Sequence, residues 1–124
     1  MATKIKILIV DDTAETRKNL TKLLELEEDM VVIGEASNGE EAIACTLNLH
    51  PDVILMDINM PIMDGIQATQ RLTSEAHQAA IIILSVQGEQ EYLRKAMAAG
   101  ARDYLTKPPS SDELVQTVRK VFQL

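Results

Sequence analysis

Five short apolar runs, each followed by a segment of helical periodicity, most constrain how this chain of 124 residues can fold. The runs begin near residues 5, 31, 53, 80 and 103. They are rich in aliphatic residues and bounded by turn-forming residues, which is typical of strands buried on both faces. Five alternating strand–helix units predict right-handed crossovers and a parallel sheet with helices on both faces.

The alternation predicts an α/β fold in which a doubly wound, five-stranded (βα)5 sheet has the flavodoxin-like order 2-1-3-4-5. We prefer this order because it places strands 1 and 3 side by side at the switch point. Helices are predicted over 13–27, 39–49 and 89–99, with two more that begin after Asp64 and Ser110. In the first two helices, Leu26 and Leu47 are expected among the apolar residues of the inward face.

Polar residues stand where the predicted strands end. Asp11 and Asp12 follow strand 1, Asp57 ends strand 3, Ser85 ends strand 4, and Lys107 follows strand 5. The carboxyl ends of parallel strands meet at one edge of a sheet, where open α/β folds bind their ligands. We therefore expect these five residues to converge on one cleft, although any one of them alone could be only a helix cap or a solvated residue.

The chemistry of this set indicates a phosphoryl site. Three neighbouring carboxylates repel one another, and a divalent cation removes that cost. Oxygen ligands of this kind favour Mg²⁺. Lys107 suits a visiting phosphate, and Ser85 adds a hydroxyl donor. In such a site Asp57 is the candidate nucleophile, and no general base is needed because a carboxylate is already ionised.

Composition narrows the possible partners. The net charge of −7 argues against direct binding to nucleic acid, and an aromatic content of 2% leaves little for stacking on bases. No apolar run approaches the roughly 18 residues of a membrane span, so we expect a cytoplasmic protein without membrane segments. Cys45 is the single cysteine and is expected to pack in a helix face. His50 and His77 are expected at the surface, away from the cleft.

Five sequence blocks in this order resemble the receiver domain of two-component response regulators, along the whole chain of residues 1–124. No output domain is expected within this length. The blocks are Ile7-Leu8-Ile9-Val10-Asp11-Asp12, Asp57-Ile58-Asn59-Met60-Pro61-Ile62-Met63-Asp64-Gly65, Ser85, Ala99-Gly100-Ala101-Arg102-Asp103-Tyr104-Leu105, and Lys107-Pro108.

The resemblance implies a mechanism. Asp57 would accept a phosphoryl group from a histidine kinase or a phosphotransfer protein. Asp11, Asp12 and the main-chain carbonyl of Asn59 would join Asp57 in holding Mg²⁺, and Lys107 would contact the phosphoryl oxygens. Such a domain signals and is not an enzyme beyond its own phosphorylation and dephosphorylation.

The resemblance also implies a switch. Ser85 and Tyr104 match the family's switch pair, which would alter the face formed by helix 4, strand 5 and helix 5. The bond from Lys107 to Pro108 is expected to be cis, as is tolerable only before proline.

The partner that such a domain would control follows less directly from the residues. A downstream effector or fused output domain is implied, and residues 85–93 resemble receivers fused to pilus-assembly or ParA-type ATPases. A phosphorylation-linked homodimer is a further expectation, but Thr117 stands where one subfamily has an arginine at its dimer face. Val86 also departs from the small residue that commonly follows the switch hydroxyl.

Three other functions fit parts of the pattern. A phosphatase of the haloacid dehalogenase class needs a second acid two residues after its nucleophile, where this chain has Asn59. A flavodoxin-type flavin carrier needs a hydroxyl-rich loop after strand 1, where this chain has Asp11 and Asp12. A receiver that acts only by docking would lack a member of the acid–lysine set, and none is missing.

Overall fold

A computed structural model describes residues 3–75 and 77–123. The predicted domain boundaries at residues 1 and 124 lie outside the described residues. Five strands alternate with five helices in the order β1 (Ile5–Val10), α1 (Ala14–Glu25), β2 (Met30–Ala36), α2 (Gly39–Leu49), β3 (Val53–Asp57), α3 (Gly65–Ser74), β4 (Ala80–Ser85), α4 (Gln90–Ala98), β5 (Asp103–Thr106) and α5 (Ser111–Phe122).

The strands form one parallel sheet in the order β2-β1-β3-β4-β5. The predicted fold class and strand order are thereby confirmed. Strand β1 lies between β2 and β3, and the register pairs Val10 with Met56. On the other side of β3, Asp57 pairs with Leu84, and Ser85 pairs with Thr106 of the edge strand β5. The polar residues that end the central strands therefore share one edge of the sheet, which we call the carboxyl edge.

Helices cover both faces of the sheet, and each face carries its own aliphatic core. Helices α1 and α5 pack on one face through residues such as Leu24 and Leu114. Helices α2, α3 and α4 pack on the other through residues such as Ile43, Leu72 and Ala96. Every residue of β3 and β4 is buried, as expected for strands covered on both sides.

Three helices begin where the sequence predicts a cap. The Asn38 side chain accepts a hydrogen bond from the Glu41 N–H at the start of α2. Asp64 and Ser110 each form a reciprocal capping box at the start of α3 and α5. These caps fix where the chain leaves the loops of the carboxyl edge.

Two leucines that were predicted to face inward are exposed instead, so this prediction was wrong. Leu26 is 75% exposed, because α1 ends at Glu25 and residue 26 lies about half a helical turn away from Leu24. Leu47 is 50% exposed. Thr46 takes the inward position instead, and its hydroxyl donates to the Ala42 carbonyl at 2.7 Å, so a buried polar side chain is satisfied within the helix.

Cys45 is partly buried against the α2–α3–α4 core. Burial raises the pKa of its thiol, and the nearby Glu41 carboxylate raises it further. A thiol that is harder to ionise is less reactive, which favours the packing role expected from the sequence. In the described ranges, no helix combines the length and the apolar character needed to span a bilayer.

Candidate functional site at the carboxyl edge

Three carboxylates meet where β1 and β3 end. Oxygen atoms of Asp11, Asp12 and Asp57 all lie within 4.8 Å of one another, and no other such group of three or more acids, histidines or cysteines occurs within the described residues. Asp11 and Asp57 are buried, whereas Asp12 is exposed. The pairing of β1 with β3 produces this cluster, because adjacent parallel strands bring their last residues to the same depth.

Lys107, just after β5, is the cation of this cluster. Its Nζ lies 2.7 Å from Asp11 Oδ2 and 3.1 Å from Asp57 Oδ1. Burial disfavours the ammonium, but its hydrogen bond to Asp11 and the attraction of Asp57 outweigh burial and raise the pKa of Lys107. The Lys107 N–H donates to the Ser85 carbonyl at 2.7 Å, and the following bond to Pro108 is cis. A charged amine is therefore held against two carboxylates.

Asp57 is a buried acid whose ionised form is disfavoured. Burial raises its pKa to about 6, with the Asp11 charge adding to the rise and Lys107 opposing it. One carboxylate oxygen, Oδ1, accepts the Ile58 N–H at 2.9 Å. The start of α3 passes so close that a Cβ added to Gly65 would lie 2.0 Å from the Asp57 carbonyl oxygen. Glycine at position 65 thus allows the β3–α3 loop to close tightly behind the acid.

Arg17, which the sequence analysis did not single out, supports Asp11 from helix α1. Its guanidinium donates to the Asp11 main-chain carbonyl at 2.6 Å and pairs with Glu35 at 2.8 Å. The Asp11 side chain is also held in place by two hydrogen bonds, because Oδ1 accepts one from the Thr13 N–H at 2.9 Å and Oδ2 accepts one from Lys107. A sequence signal for this role is hard to see, since a charged residue in the second turn of a helix is ordinary.

The acidic cluster fits a magnesium ion. All its side-chain ligand atoms are carboxylate oxygens, which hard divalent cations prefer. Lys107 supplies one positive charge against three carboxylates, so the cluster has the excess negative charge that a cation would neutralise. Asp11, Asp12 and Asp57 are the residues whose side chains would hold it.

Ser85 and Tyr104 lie beside the cluster but apart from its ion pairs. Ser85 is buried at the end of β4, whereas the Tyr104 ring on the edge strand is 47% exposed. Both residues line a cavity of about 330 Å³ beneath the β4–α4 loop. The cavity leaves space next to Ser85 on the side of the sheet edge where Tyr104 stands.

The Asn59 side chain reaches the residue that precedes α4. Its amide donates to the Glu89 carboxylate, which also accepts the Val86 N–H at 2.8 Å. Glu89 was not predicted as a site residue. The contact joins residues 30 positions apart, so no local pattern in the sequence points to it.

The two histidines lie at the opposite edge of the sheet. His50 and His77 line an open cavity of about 730 Å³ with Asp52 and Arg102. They take no part in the acidic cluster, as expected from the sequence.

The family model for the response regulator receiver domain matches residues 7–119. Among curated relatives, the transcriptional regulatory protein YvfU of Bacillus subtilis is 40% identical over 94% of this chain and 58% of its own length. The protein-glutamate methylesterase/protein-glutamine glutaminase of Halalkalibacterium halodurans is 44% identical over 87% of this chain and 32% of its own length. The chain thus spans about half or less of the relatives it matches.

A solved structure agrees with these relatives. The response regulator domain of Thermotoga maritima CheB superimposes with a TM-score of 0.89 at 33% identity, with 98% of each chain covered. Together with the family match over most of the chain, this likeness agrees with the strand order described above. The chain belongs to the response regulator receiver domain family of two-component signal transduction.

Proposed function

We propose that this receiver domain accepts a phosphoryl group on the Asp57 carboxylate in a magnesium-dependent reaction. One Asp57 oxygen would attack the phosphorus atom of the donor and form an acyl phosphate. The bond from phosphorus to the leaving group would break, and the leaving group would keep the bonding electron pair. The donor in the cell would be a histidine kinase or a phosphotransfer protein, as the family resemblance implies.

The contact of Lys107 with both Asp11 and Asp57 carries this proposal. An ammonium fixed beside the nucleophile can stabilise the charge that develops on the transferred phosphoryl oxygens without having to reorganise. With a pKa of about 6, Asp57 is mostly ionised at neutral pH, as a nucleophile must be. Magnesium held by the three carboxylates, with the Asn59 carbonyl as a further ligand, would supply positive charge to offset the anionic donor.

We further propose that phosphorylation is read out through Ser85 and Tyr104. The Ser85 hydroxyl would turn toward the new oxygens and the Tyr104 ring would move into the cavity that both residues line. The altered α4–β5–α5 face would then engage a partner or a fused effector. A shift from 1:99 to 99:1 requires about 5.5 kcal/mol of preference for the active state, which the doubly charged phosphoryl group would supply.

Incubation with acetyl phosphate tests the phosphoacceptor proposal. Intact-mass measurement should show one added phosphoryl group when Mg²⁺ is present, and none with excess EDTA or in Asp57→Ala. An equal adduct in Asp57→Ala would contradict the proposal. Sustained hydrolysis of phosphate esters would instead support the phosphatase alternative.

The proposed switch has its own test. The chain contains two tyrosines and no tryptophan, so Tyr92→Phe leaves Tyr104 as the single strong fluorophore. Phosphorylation should change the emission of Tyr104 in this background, and a further Asp57→Ala substitution should remove the change. Unaltered emission in the fully phosphorylated protein would contradict the movement of the ring.

A further inference from the structure

The Glu89 carboxylate bridges two loops of the carboxyl edge, and we call the gap between these loops the mouth of the acidic site. Its Oε1 accepts a hydrogen bond from the Val86 N–H at 2.8 Å, and its Oε2 accepts one from the Asn59 side-chain amide. Val86 directly follows Ser85, and Asn59 lies two residues after Asp57. One side chain therefore joins the loop after β3, which begins directly after the candidate nucleophile Asp57, to the loop after β4.

The negative charge of Glu89 is not compensated by a cation. None of the ion pairs found in residues 3–75 and 77–123 includes it. Deeper in the site, Lys107 and a bound magnesium ion would balance the charges of the three aspartates. Glu89 is then an excess charge, and its two hydrogen bonds hold it at the mouth instead of leaving it free to turn into solvent.

We propose that Glu89 is a specificity-determining residue that slows small anionic phosphoryl donors on their way to Asp57. The inference rests on the proposed phosphoacceptor function. A fixed charge in a cleft acts on an approaching anion more strongly than a mobile charge in bulk water. A donor such as acetyl phosphate must pass this carboxylate, whereas a protein donor can place a positive or hydrogen-bonding group against it.

The position of Glu89 at the start of α4 supports this role over a capping role. Its carboxylate turns back to the Val86 N–H, three residues earlier, and makes no side-chain cap for the helix it precedes. Removal of the charge should therefore change the electrostatics of the mouth while helix α4 stays intact. Glu91, two residues further along the chain in α4, has an equal charge but makes no side-chain hydrogen bond or ion pair within the described ranges, so it provides a matched control.

The test compares wild type, Glu89→Gln and Glu91→Gln. Phosphorylation by acetyl phosphate is followed by intact mass, at saturating Mg²⁺ and in increasing concentrations of NaCl. Glu89→Gln should be phosphorylated about 3- to 10-fold faster than wild type at low ionic strength. The advantage should shrink as salt screens the charge, which a merely structural effect of the substitution would not do. Glu91→Gln should react at the wild-type rate throughout.

Three results would overturn the inference, and they can be told apart. Equal rates for wild type and Glu89→Gln at low salt would contradict the proposed role of Glu89 and leave the phosphoacceptor proposal intact. An equal acceleration in Glu91→Gln would assign the effect to net charge and not to the mouth. A wild-type protein that takes up no phosphoryl group would overturn the proposed function, and the proposed role of Glu89 together with it.

Discussion

The two edges of the sheet both carry charged residues, but they use them in opposite ways. At the carboxyl edge three carboxylates crowd together around the single ammonium of Lys107. At the opposite edge, where the strands begin and which we call the amino edge, Asp52 accepts a hydrogen bond from the Lys6 N–H at 2.8 Å. Nearby, His77 lies 3.7 Å from Glu75. Polar groups at the amino edge are therefore dispersed and individually paired, whereas those at the carboxyl edge oppose one another.

This contrast indicates where folding free energy is given up for function. Dispersed pairs such as Asp52 with the Lys6 N–H stabilise the sheet through single hydrogen bonds. At the carboxyl edge, burial raises the pKa of Asp57, and the charge of the neighbouring Asp11 adds to the rise. Substitutions at the carboxyl edge should thus change chemistry, and those at the amino edge should change stability only.

Lys107→Ala should show the largest difference between the two edges of the sheet. Loss of the ammonium beside Asp57 removes the fixed charge that would stabilise the transferred oxygens, so phosphorylation by acetyl phosphate should slow by about 10²- to 10³-fold. Rates at saturating Mg²⁺ measure the effect. The control is Lys6→Ala at the amino edge, which should react like wild type. Equal losses in the two variants would mean that the edges do not differ in chemistry.

Asp57→Asn should stabilise the metal-free protein. Because the folded-state pKa of Asp57 is raised to about 6 from 3.8, the folded state binds the proton more tightly than the unfolded state does. The stability of wild type should therefore fall as pH rises through this window, and ionised Asp57 should cost about 2–3 kcal/mol at pH near 7.5.

Urea denaturation in EDTA measures that cost. Asp57→Asn should raise the free energy of unfolding near pH 7.5, and its advantage should vanish near pH 4, where wild type is protonated. Addition of Mg²⁺ should stabilise wild type more than the variant. A variant that is less stable than wild type near neutral pH would show that ionised Asp57 does not lower the free energy of unfolding.

Arg17→Met should weaken magnesium binding by about 10-fold, the lower end of the effect usual for residues that orient ligands. The guanidinium holds the Asp11 main-chain carbonyl, so its loss frees the turn that aims Asp11 into the cluster. Isothermal titration with Mg²⁺ measures the change. Arg17→Lys should restore part of the affinity, and an unchanged affinity in Arg17→Met would limit Arg17 to its ion pair with Glu35.

Asp52→Ala should have the smallest effect of the set. It removes one hydrogen bond from the Lys6 N–H at the amino edge and should cost about 1 kcal/mol of stability. The rate of phosphorylation by acetyl phosphate should not change. A slower rate at equal folded fraction would show that the amino edge takes part in the chemistry.

Much of the fold could be predicted from the sequence because the apolar runs are short, regular and punctuated by caps. The bounds of α2 and the start of β5 match the prediction, and the strand order follows from the switch-point rule. The first helix was predicted too long because Leu26 continues a leucine-rich run without continuing its face. Periodicity detects a face reliably only over several turns.

The candidate site likewise contains residues that could be predicted from the sequence and residues that could not. Asp11, Asp12, Asp57 and Lys107 could be placed together because each follows directly on a strand whose position in the sheet is constrained. Glu89 and Arg17 could not, because long side chains reach their partners through loop and helix geometry that local patterns do not encode.

Chemical trapping of the phosphorylated residue tests the central claim most directly. Borohydride reduces an aspartyl phosphate to homoserine, which peptide mass spectrometry can locate in the sequence. After reaction with acetyl phosphate and Mg²⁺, homoserine should be found at position 57 and not at positions 11 or 12. Homoserine at either of those positions, or at none in a protein that has taken up phosphate, would contradict the assignment of Asp57 as the phosphoacceptor.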